Sequence, residues 1–419
     1  MRILSITAQK PNSTGSGVFL TELVRALGET GHEQMVVGGI YPEDRVELPE
    51  GVKFSPLYFT DPAKKQDTGD AAGQPADISF PICGMSDEMP YPSTRYCDMS
   101  PEMTEEFSAA WIRKVRAAVD KFNPDLILCH HLYLLTALVR REFPDRRVFG
   151  FCHNTDLRQM KKHSLCRELI RENIRKLDRI FVLRKDQMDE VEEIYGADRE
   201  KMYAVGMGYN REIFRLMPEI RKGCGAEDGM AEEGRPRIIF AGKIAEKKGV
   251  MSLIRCLDNI RGAEDKLEVI LAGGAGNEKE YAEIKKLAAK APCPVTFAGR
   301  LDQRTLAGEY NRSDIFVLPS FSEGLPLTVI EALACGCRVV VSDLPGVSDW
   351  LSEFVRGGDI RYVELPTLIH ADEPAEKELP AFEKRLAAAI EDSMKAGRTE
   401  PADVSLLTWE RIARIVLGE

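Results

Sequence analysis

The sequence predicts an α/β protein of two doubly wound, Rossmann-like domains facing a cleft. Three observations carry this. Short, near-continuous apolar runs alternate with helical stretches, the alternation occurs twice, and the two series are separated by 217–234, a stretch rich in glycine and charge. Near-continuous apolar strands belong to parallel sheets buried on both faces, joined by crossover helices. The chain has 419 residues, which suits two or three domains.

In the first series the predicted elements are a strand at Arg2–Thr7, a loop at 8–17 and a helix at 18–29. Strands are then predicted at 34–39, 125–129, 147–152, 179–183 and 202–205. The second series has strands at Arg237–Ala241, 267–272, 294–298, Ile315–Leu318 and Arg338–Ser342, with helices at 248–260 and 280–289. Residues 60–103 break the alternation. Their first half is polar, and their second half carries prolines and aromatics, which favours an ordered loop, either packed or walling the cleft. The expected boundaries are 1–212 for the first domain, with 60–103 as an insertion, 235–400 for the second, and 401–419 for a terminal helix. In such folds ligands sit at the carboxyl ends of the strands.

Composition excludes several classes. Apolar residues make up 44% and charged residues 30%, and the formal net charge is −10. An acidic chain is a poor generic nucleic-acid binder. No apolar run reaches the roughly 18 residues of a membrane span. The apolar stretch 3–6 is too short for an export signal, so a cytoplasmic protein is expected. The ten cysteines, Cys83, Cys97, Cys129, Cys152, Cys166, Cys224, Cys256, Cys293, Cys335 and Cys337, contain no CxxC pair. They read as reduced, small buried hydrophobes.

The strongest motif is Ser320-Phe-Ser-Glu323-Gly324-Leu325-Pro326-Leu327-Thr-Val-Ile-Glu331. A strand runs into a Ser/Gly/Pro loop and a helix opens near Leu327. Unpaired amides at that helix start form an anion site, and Pro326 suits the first helical position. Glu323 lies on the loop and Glu331 one to two turns into the helix. Carboxylates accept hydrogen bonds from vicinal hydroxyls, so the pair suits a ribose and a sugar flanking a phosphate; the bland alternative is a capping Glu323 and a solvated Glu331. Lys243 follows the strand Arg237–Ala241 and Lys248 opens the next helix. Two cations there neutralise a diphosphate leaving group. Gly15 and Gly17, between the first strand and helix, allow close backbone approach to a phosphate or sugar and positive φ. Gly273-Gly274-Ala-Gly276 reads as a tight turn near the nucleotide. His153 follows the strand 147–152. His130 and His131 end the strand 125–129; as neighbours on extended chain they should point oppositely. No Asp-x-Asp occurs, which fits phosphate neutralisation without metal.

The motif Glu323-x7-Glu331 closely resembles the donor signature of retaining family-4 glycosyltransferases of the GT-B fold. Phe240-Ala-Gly242-Lys243 through Lys248-Gly249 resembles that family's basic diphosphate motif, with Lys243 where arginine is usual. Phe297-Ala-Gly-Arg300, the link 204–214, the loop Gly15-Ser-Gly17 and the tail Trp409-Glu410 fall in the family's order. The resemblance implies a retaining transferase moving a sugar from a nucleotide-diphosphate sugar, UDP by default, to an acceptor hydroxyl, with no cofactor and no metal. It implies donor contacts from Gly15, Gly17, Gly242, Lys243, Lys248, Arg300, Glu323, Gly324, Leu325, Pro326, Leu327 and Glu331. It gives His153, Glu323, Lys248 and Lys243 the catalytic roles, and Trp409 a helix that crosses back to the first domain. Asp349 stands where the family often has glutamate. The alternatives on the same fold are a sugar-nucleotide epimerase, a phosphorylase, or a binding protein without turnover. The acceptor is a sugar, lipid or small molecule. Residues 158–179 hold eight Lys/Arg against three Asp/Glu, with Leu165, Leu169, Ile170, Ile174 and Leu177 at helical spacing. They read as a surface helix with a core stripe, or as a peripheral contact for anionic lipid.

Overall fold

The computed structural model describes all residues except 63–75, 87–88, 224–235, 324, 371–372 and 397–400. Gly324, Cys224, most of the predicted linker and the predicted limits at 235 and 400 therefore lie outside the described residues. The chain divides into two compact units, unit 1 being Met1–Gly208 with Trp409–Glu419, and unit 2 Tyr209–Thr408.

Unit 1 runs β1 (Arg2–Thr7), α1 (Gly15–Glu29), β2 (Glu33–Ile40), β3 (Lys53–Tyr58), β4 (Cys83–Gly84), β5 (Thr94–Arg95), α2 (Pro101–Phe122), β6 (Leu126–His130), α3 (Leu134–Glu142), β7 (Val148–Phe151), α4 (Thr155–Lys162), α5 (Arg167–Ile174), β8 (Arg179–Val182), α6 (Asp186–Tyr195) and β9 (Met202–Ala204). Seven strands form one parallel sheet in the order β3-β2-β1-β6-β7-β8-β9. Unit 2 runs α7 (Pro218–Gly223), β10 (Arg237–Ala241), α8 (Val250–Cys256), α9 (Ala263–Lys266), β11 (Glu268–Ala272), α10 (Glu278–Ala288), β12 (Val295–Gly299), α11 (Gln303–Arg312), β13 (Ile315–Leu318), α12 (Leu327–Ala334), β14 (Arg338–Ser342), α13 (Val347–Phe354), β15 (Ile360–Val363), β16 (Leu368–His370), β17 (Glu373–Pro374) and α14 (Leu379–Lys395). Its parallel sheet has the order β12-β11-β10-β13-β14-β15. The last helix, α15 (Trp409–Leu417), returns to unit 1.

The central strands are buried on both faces. Ile3, Leu4 and Ile6 of β1 and Ile238, Ile239 and Phe240 of β10 are fully buried, so both faces of each sheet must be apolar. The two strands of the large parallel sheets that the apolar-run pattern misses, β3 and β15, are edge strands. β3 is half-buried and carries Pro56 opposite Gly38, and a residue without an N–H is tolerated only where one side of the strand needs no partner. β15 is likewise half-exposed. Caps fix several helix starts: Thr14 accepts from the Gly17 amide, Ser100 from Met103, Asn277 from Lys279 and Glu280, and Asp302 from Thr305. Such oxygens satisfy amides that no helical carbonyl can reach.

Within 60–103 the described residues are ordered by packing. Phe80, Ile82, Met85, Tyr96 and Met99 are buried. Tyr41 donates to the Pro92 carbonyl and Gln159 to that of Met85. Among the described cysteines Cys97 is exposed and Cys166 half-buried, and the other seven are buried.

Candidate active site

In unit 2 the loops leaving β10, β11, β12 and β13 are stitched together at the carboxyl edge of the sheet. Gly242 donates to Ala272 and Ile244 to Gly274; Gly273 donates to Gly299 and Phe321 to Lys247. Glycine is required at two of these approaches. A Cβ on Gly249, whose φ is +70°, would overlap the Pro319 carbonyl, and one on Gly273 would overlap that of Gly242. The predicted turn at Gly273–Gly276 is covered by two of the predicted cationic side chains. The Arg300 side chain lies over Gly274 and Lys243 over Gly276, each where a Cβ would stand.

Lys248 does not open a helix. It closes a single 3-10 turn, Glu246–Lys248, and α8 starts at Val250 after Gly249. That turn carries its ammonium to Glu323, Nζ to Oε1 2.7 Å. The same carboxylate oxygen accepts from the Ser320 hydroxyl at 2.7 Å. Lys248 also reaches the Ser322 carbonyl at 3.4 Å. Both partners of the ion pair are largely covered, with side-chain exposures of 23% and 15%. Glu323 Oε2 makes no hydrogen bond among the described residues and remains available to a hydroxyl.

Pro326 is the residue before the helix rather than its first member, with ψ 93°. A residue ahead of α12 has extended backbone, which proline also accepts. Leu325 and Pro326 are buried and Leu327 is half-buried. Glu331 is not solvated: it is buried on α12, and burial pushes its carboxyl up to about 8. No hydrogen bond or ion pair reaches its carboxylate among the described residues. A lone buried carboxylate is costly unless something donates to it, and vicinal hydroxyls are suitable donors. Asp349 lies in the first turn of α13, and the structure gives it no site contact.

In unit 1 the carboxyl edge gathers three histidines. His153 follows β7 and is half-buried. Its Nε2 lies 3.1 Å from His130 Nδ1, and the two rings are nearly parallel, 14° apart, and meet edge to edge with centroids 5.3 Å apart. His131 also reaches it, with centroids 4.8 Å apart. The expected opposite facing of His130 and His131 fails because the chain is no longer extended there: His131 has φ 71°. Burial lowers all three histidines, His130 to about 3. Phe19 of α1 packs edge-on against His153 and Trp409, with centroids 5.2 and 5.1 Å away. Trp409 in turn covers Gly208 where a Cβ would stand.

Asp156 organises this edge, and no sequence pattern singled out its role. It is fully buried at the start of α4. It accepts from the Leu132 amide at 2.7 Å and from the His153 amide at 3.2 and 3.3 Å. It thereby ties the turn after β6 to the turn after β7. The only local signal is a carboxylate three residues past the strand-ending histidine.

Gly15 and Gly17 belong to the first turn of α1, not to a loop before it. Neither has positive φ. Gly17 is needed because the backbone of Lys10–Asn12 passes where its Cβ would be, whereas nothing lies within 4 Å of a Cβ on Gly15. The basic stretch 158–179 is not one helix. It is split into α4 and α5 around Cys166, whose φ is 46°. Ile170, Ile174 and Leu177 enter the core, while Lys161 pairs with Glu190 and Lys176 with Glu172. Among the described residues no helix is long and apolar enough to cross a membrane, and no three His, Cys, Asp or Glu side chains group to hold a metal.

Two family models match the chain in tandem, Glycosyltransferase Family 4 over residues 13–212 and Glycosyl transferases group 1 over 227–359. A D-inositol 3-phosphate glycosyltransferase of Nocardia farcinica is 31% identical over 182 residues, 42% of this chain and 40% of that protein. An alpha-maltose-1-phosphate synthase of Mycobacterium tuberculosis is 25% identical over 39% of this chain and 43% of its own. The match thus spans less than half the length of these relatives. Among solved structures, sucrose-phosphate synthase from Thermosynechococcus elongatus has a TM-score of 0.64 at 17% identity, covering 100% of this chain and 97% of that one. Anabaena HepE in complex with UDP and glucose gives 0.59 at 12%, covering 100% and 98%. Two parallel Rossmann-like sheets with their loops gathered at the carboxyl edges define a protein of the GT-B class. The chain belongs to the family-4, group 1 glycosyltransferases.

Proposed function

We propose that the chain transfers a sugar from a nucleotide-diphosphate sugar, a UDP-sugar in the first instance, to an acceptor hydroxyl, with retention and without metal. The observation that carries this reading is the buried Glu331, unpartnered among the described residues, on the same loop–helix segment as Glu323, which holds Lys248 from the neighbouring turn. One carboxylate awaits hydroxyl donors, beside an ammonium that Glu323 already fixes in place. In this reading Glu331 accepts from the ribose, Glu323 Oε2 from the transferred sugar, and Lys248, Lys243 and Arg300 face the diphosphate. Cations placed before the reaction stabilise the charge that develops on the leaving phosphate. Metal independence is supported by the lack of Asp-x-Asp in the sequence. Retention is carried from the family resemblance. His153 contacts a sugar hydroxyl, and the acceptor, which is a sugar, lipid or small molecule, is assigned to unit 1. The basic stretch 158–179 supports a contact with anionic lipid for a lipid acceptor.

The test is a binding and turnover panel of UDP-, GDP- and ADP-sugars, with and without EDTA. Saturable binding that Glu331→Ala and Lys248→Ala each weaken supports the reading. Unchanged turnover in both variants would refute the site, and activity lost to EDTA would refute metal independence.

A further inference from the structure

The contact between His130 and His153 fixes more than a ring position. Nδ1 of His130 and Nε2 of His153 are 3.1 Å apart, and two neutral imidazoles share one proton across such a contact. The direction of donation follows from the far side of His130. Its Nε2 is buried and has no hydrogen-bond partner among the described residues. If His153 were the donor, the proton of His130 would sit on that nitrogen as a buried N–H with no acceptor. Orphaned buried N–H groups are rare and costly, and an idle lone pair is the lesser penalty. Phe151 stacks on the His130 ring at 4.9 Å and Phe19 stands edge-on at 6.1 Å between centroids, so apolar rings surround it.

We infer that His130 is a positioning residue that locks His153 as its Nδ1–H tautomer, so that the nitrogen His153 keeps for a ligand is a donor and seeks a ligand oxygen. His130 Nδ1–H donates, His153 Nε2 accepts, and the single proton of neutral His153 resides on Nδ1. That nitrogen makes no hydrogen bond among the described residues. A hydroxyl, ether or carbonyl oxygen of a sugar satisfies it. A group that must lose its proton to His153 does not, since the only free lone pair of the ring is already occupied. His153 then holds a substrate oxygen and is no general base. Its meeting a substrate rests on the function proposed above; its tautomer does not.

The experiment uses the full chain with 15N-labelled histidine and long-range 1H–15N correlation near pH 7.5, with the His153 signals assigned through their loss in His153→Ala. The expected spectrum shows a protonated Nδ1 and an unprotonated Nε2 for both His130 and His153. His130→Phe keeps the stacked ring but loses the donor, so His153 shifts to mixed or Nε2–H signals. His130→Asn, which places an amide N–H where Nδ1 stood, restores the Nδ1–H pattern. A wild-type His153 protonated on Nε2 would overturn the proposal, as would an unchanged Nδ1–H pattern in His130→Phe. If the phenylalanine variant does not fold, the wild-type spectrum decides alone. Addition of UDP-glucose and other nucleotide sugars separates the two readings. A locked tautomer that no sugar nucleotide perturbs leaves the lock standing and counts against the substrate role.

Discussion

The ammonium of Lys248 lies 2.7 Å from Oε1 of Glu323, and that oxygen also accepts from Ser320. A cation and a carboxylate are thus held as one unit by contacts within the chain. The carboxylate fixes where the cation stands, and its second oxygen remains for a hydroxyl.

Breaking this unit should cost activity far more than stability. A pair with partly solvated members contributes about 1 kcal/mol or less. Glu323→Gln should therefore leave the thermal midpoint nearly unchanged, while turnover falls roughly 10²-fold, the size of losing one preorganised electrostatic contact. Calorimetry and initial rates on one preparation check both halves, and a large drop in the midpoint would contradict the argument.

Glu331 should make stability and binding depend on pH in opposite senses. Its folded carboxyl titrates at about 8 against 4.5 for an ordinary glutamate. The folded state therefore holds a proton that the unfolded state releases, and its stabilising effect is complete below 4.5 and is lost as pH rises towards 8. Each pH unit in that window is worth about 1.4 kcal/mol. Glu331→Gln should gain on the wild type as pH rises from 5 to 8.5 in denaturant titrations. UDP binding should tighten over the same window, because a donor hydroxyl favours the ionised carboxylate, and Glu331→Gln should flatten that trend.

The histidine cluster should act at the acid side. Burial lowers His130 from 6.5 to about 3 and depresses His131 and His153 as well. Unfolded histidines take up protons that the folded ones refuse. The stability they contribute is present above 6.5 and is lost as pH falls towards 3. His130→Phe should shallow the loss of stability between pH 7 and pH 5. An identical slope in that variant would show that His130 is not the responsible group.

Gly249 and Gly15 should respond oppositely to alanine. At Gly249 the positive φ and the Pro319 carbonyl both oppose a side chain, so Gly249→Ala should lose about 2 kcal/mol or more. At Gly15 there is open space and ordinary helical backbone. Gly15→Ala should be neutral or gain up to about 1 kcal/mol in unfolding titrations. A loss of donor binding in Gly15→Ala at full stability would then report a ligand passing close to that backbone.

The strands legible in the sequence are those buried on both faces, because their apolar runs need no partner to be recognised. Arg2–Thr7 and Arg237–Ala241 appear as expected. The edge strand with Pro56 does not, because its half-exposed face dilutes the same signal. Motif order brings out Lys248, Glu323 and Glu331. Spacing cannot show that Lys248 closes a 3-10 turn or that Glu331 is buried, since both follow from how neighbouring loops and helices cover them. His131 escapes the alternation rule through one left-handed residue, which no hydrophobic period encodes. Asp156 becomes meaningful only when the turns at Leu132 and His153, distant in sequence, meet at its carboxylate.

Trp409 covers Gly208 and meets Phe19 edge-on, so α15 completes the apolar surface of a unit whose other residues all precede Tyr209. The ribosome must synthesise all of unit 2 before that helix emerges. Until then Phe19 keeps its neighbours His130, Phe151 and His153 but lacks the indole that closes its remaining edge.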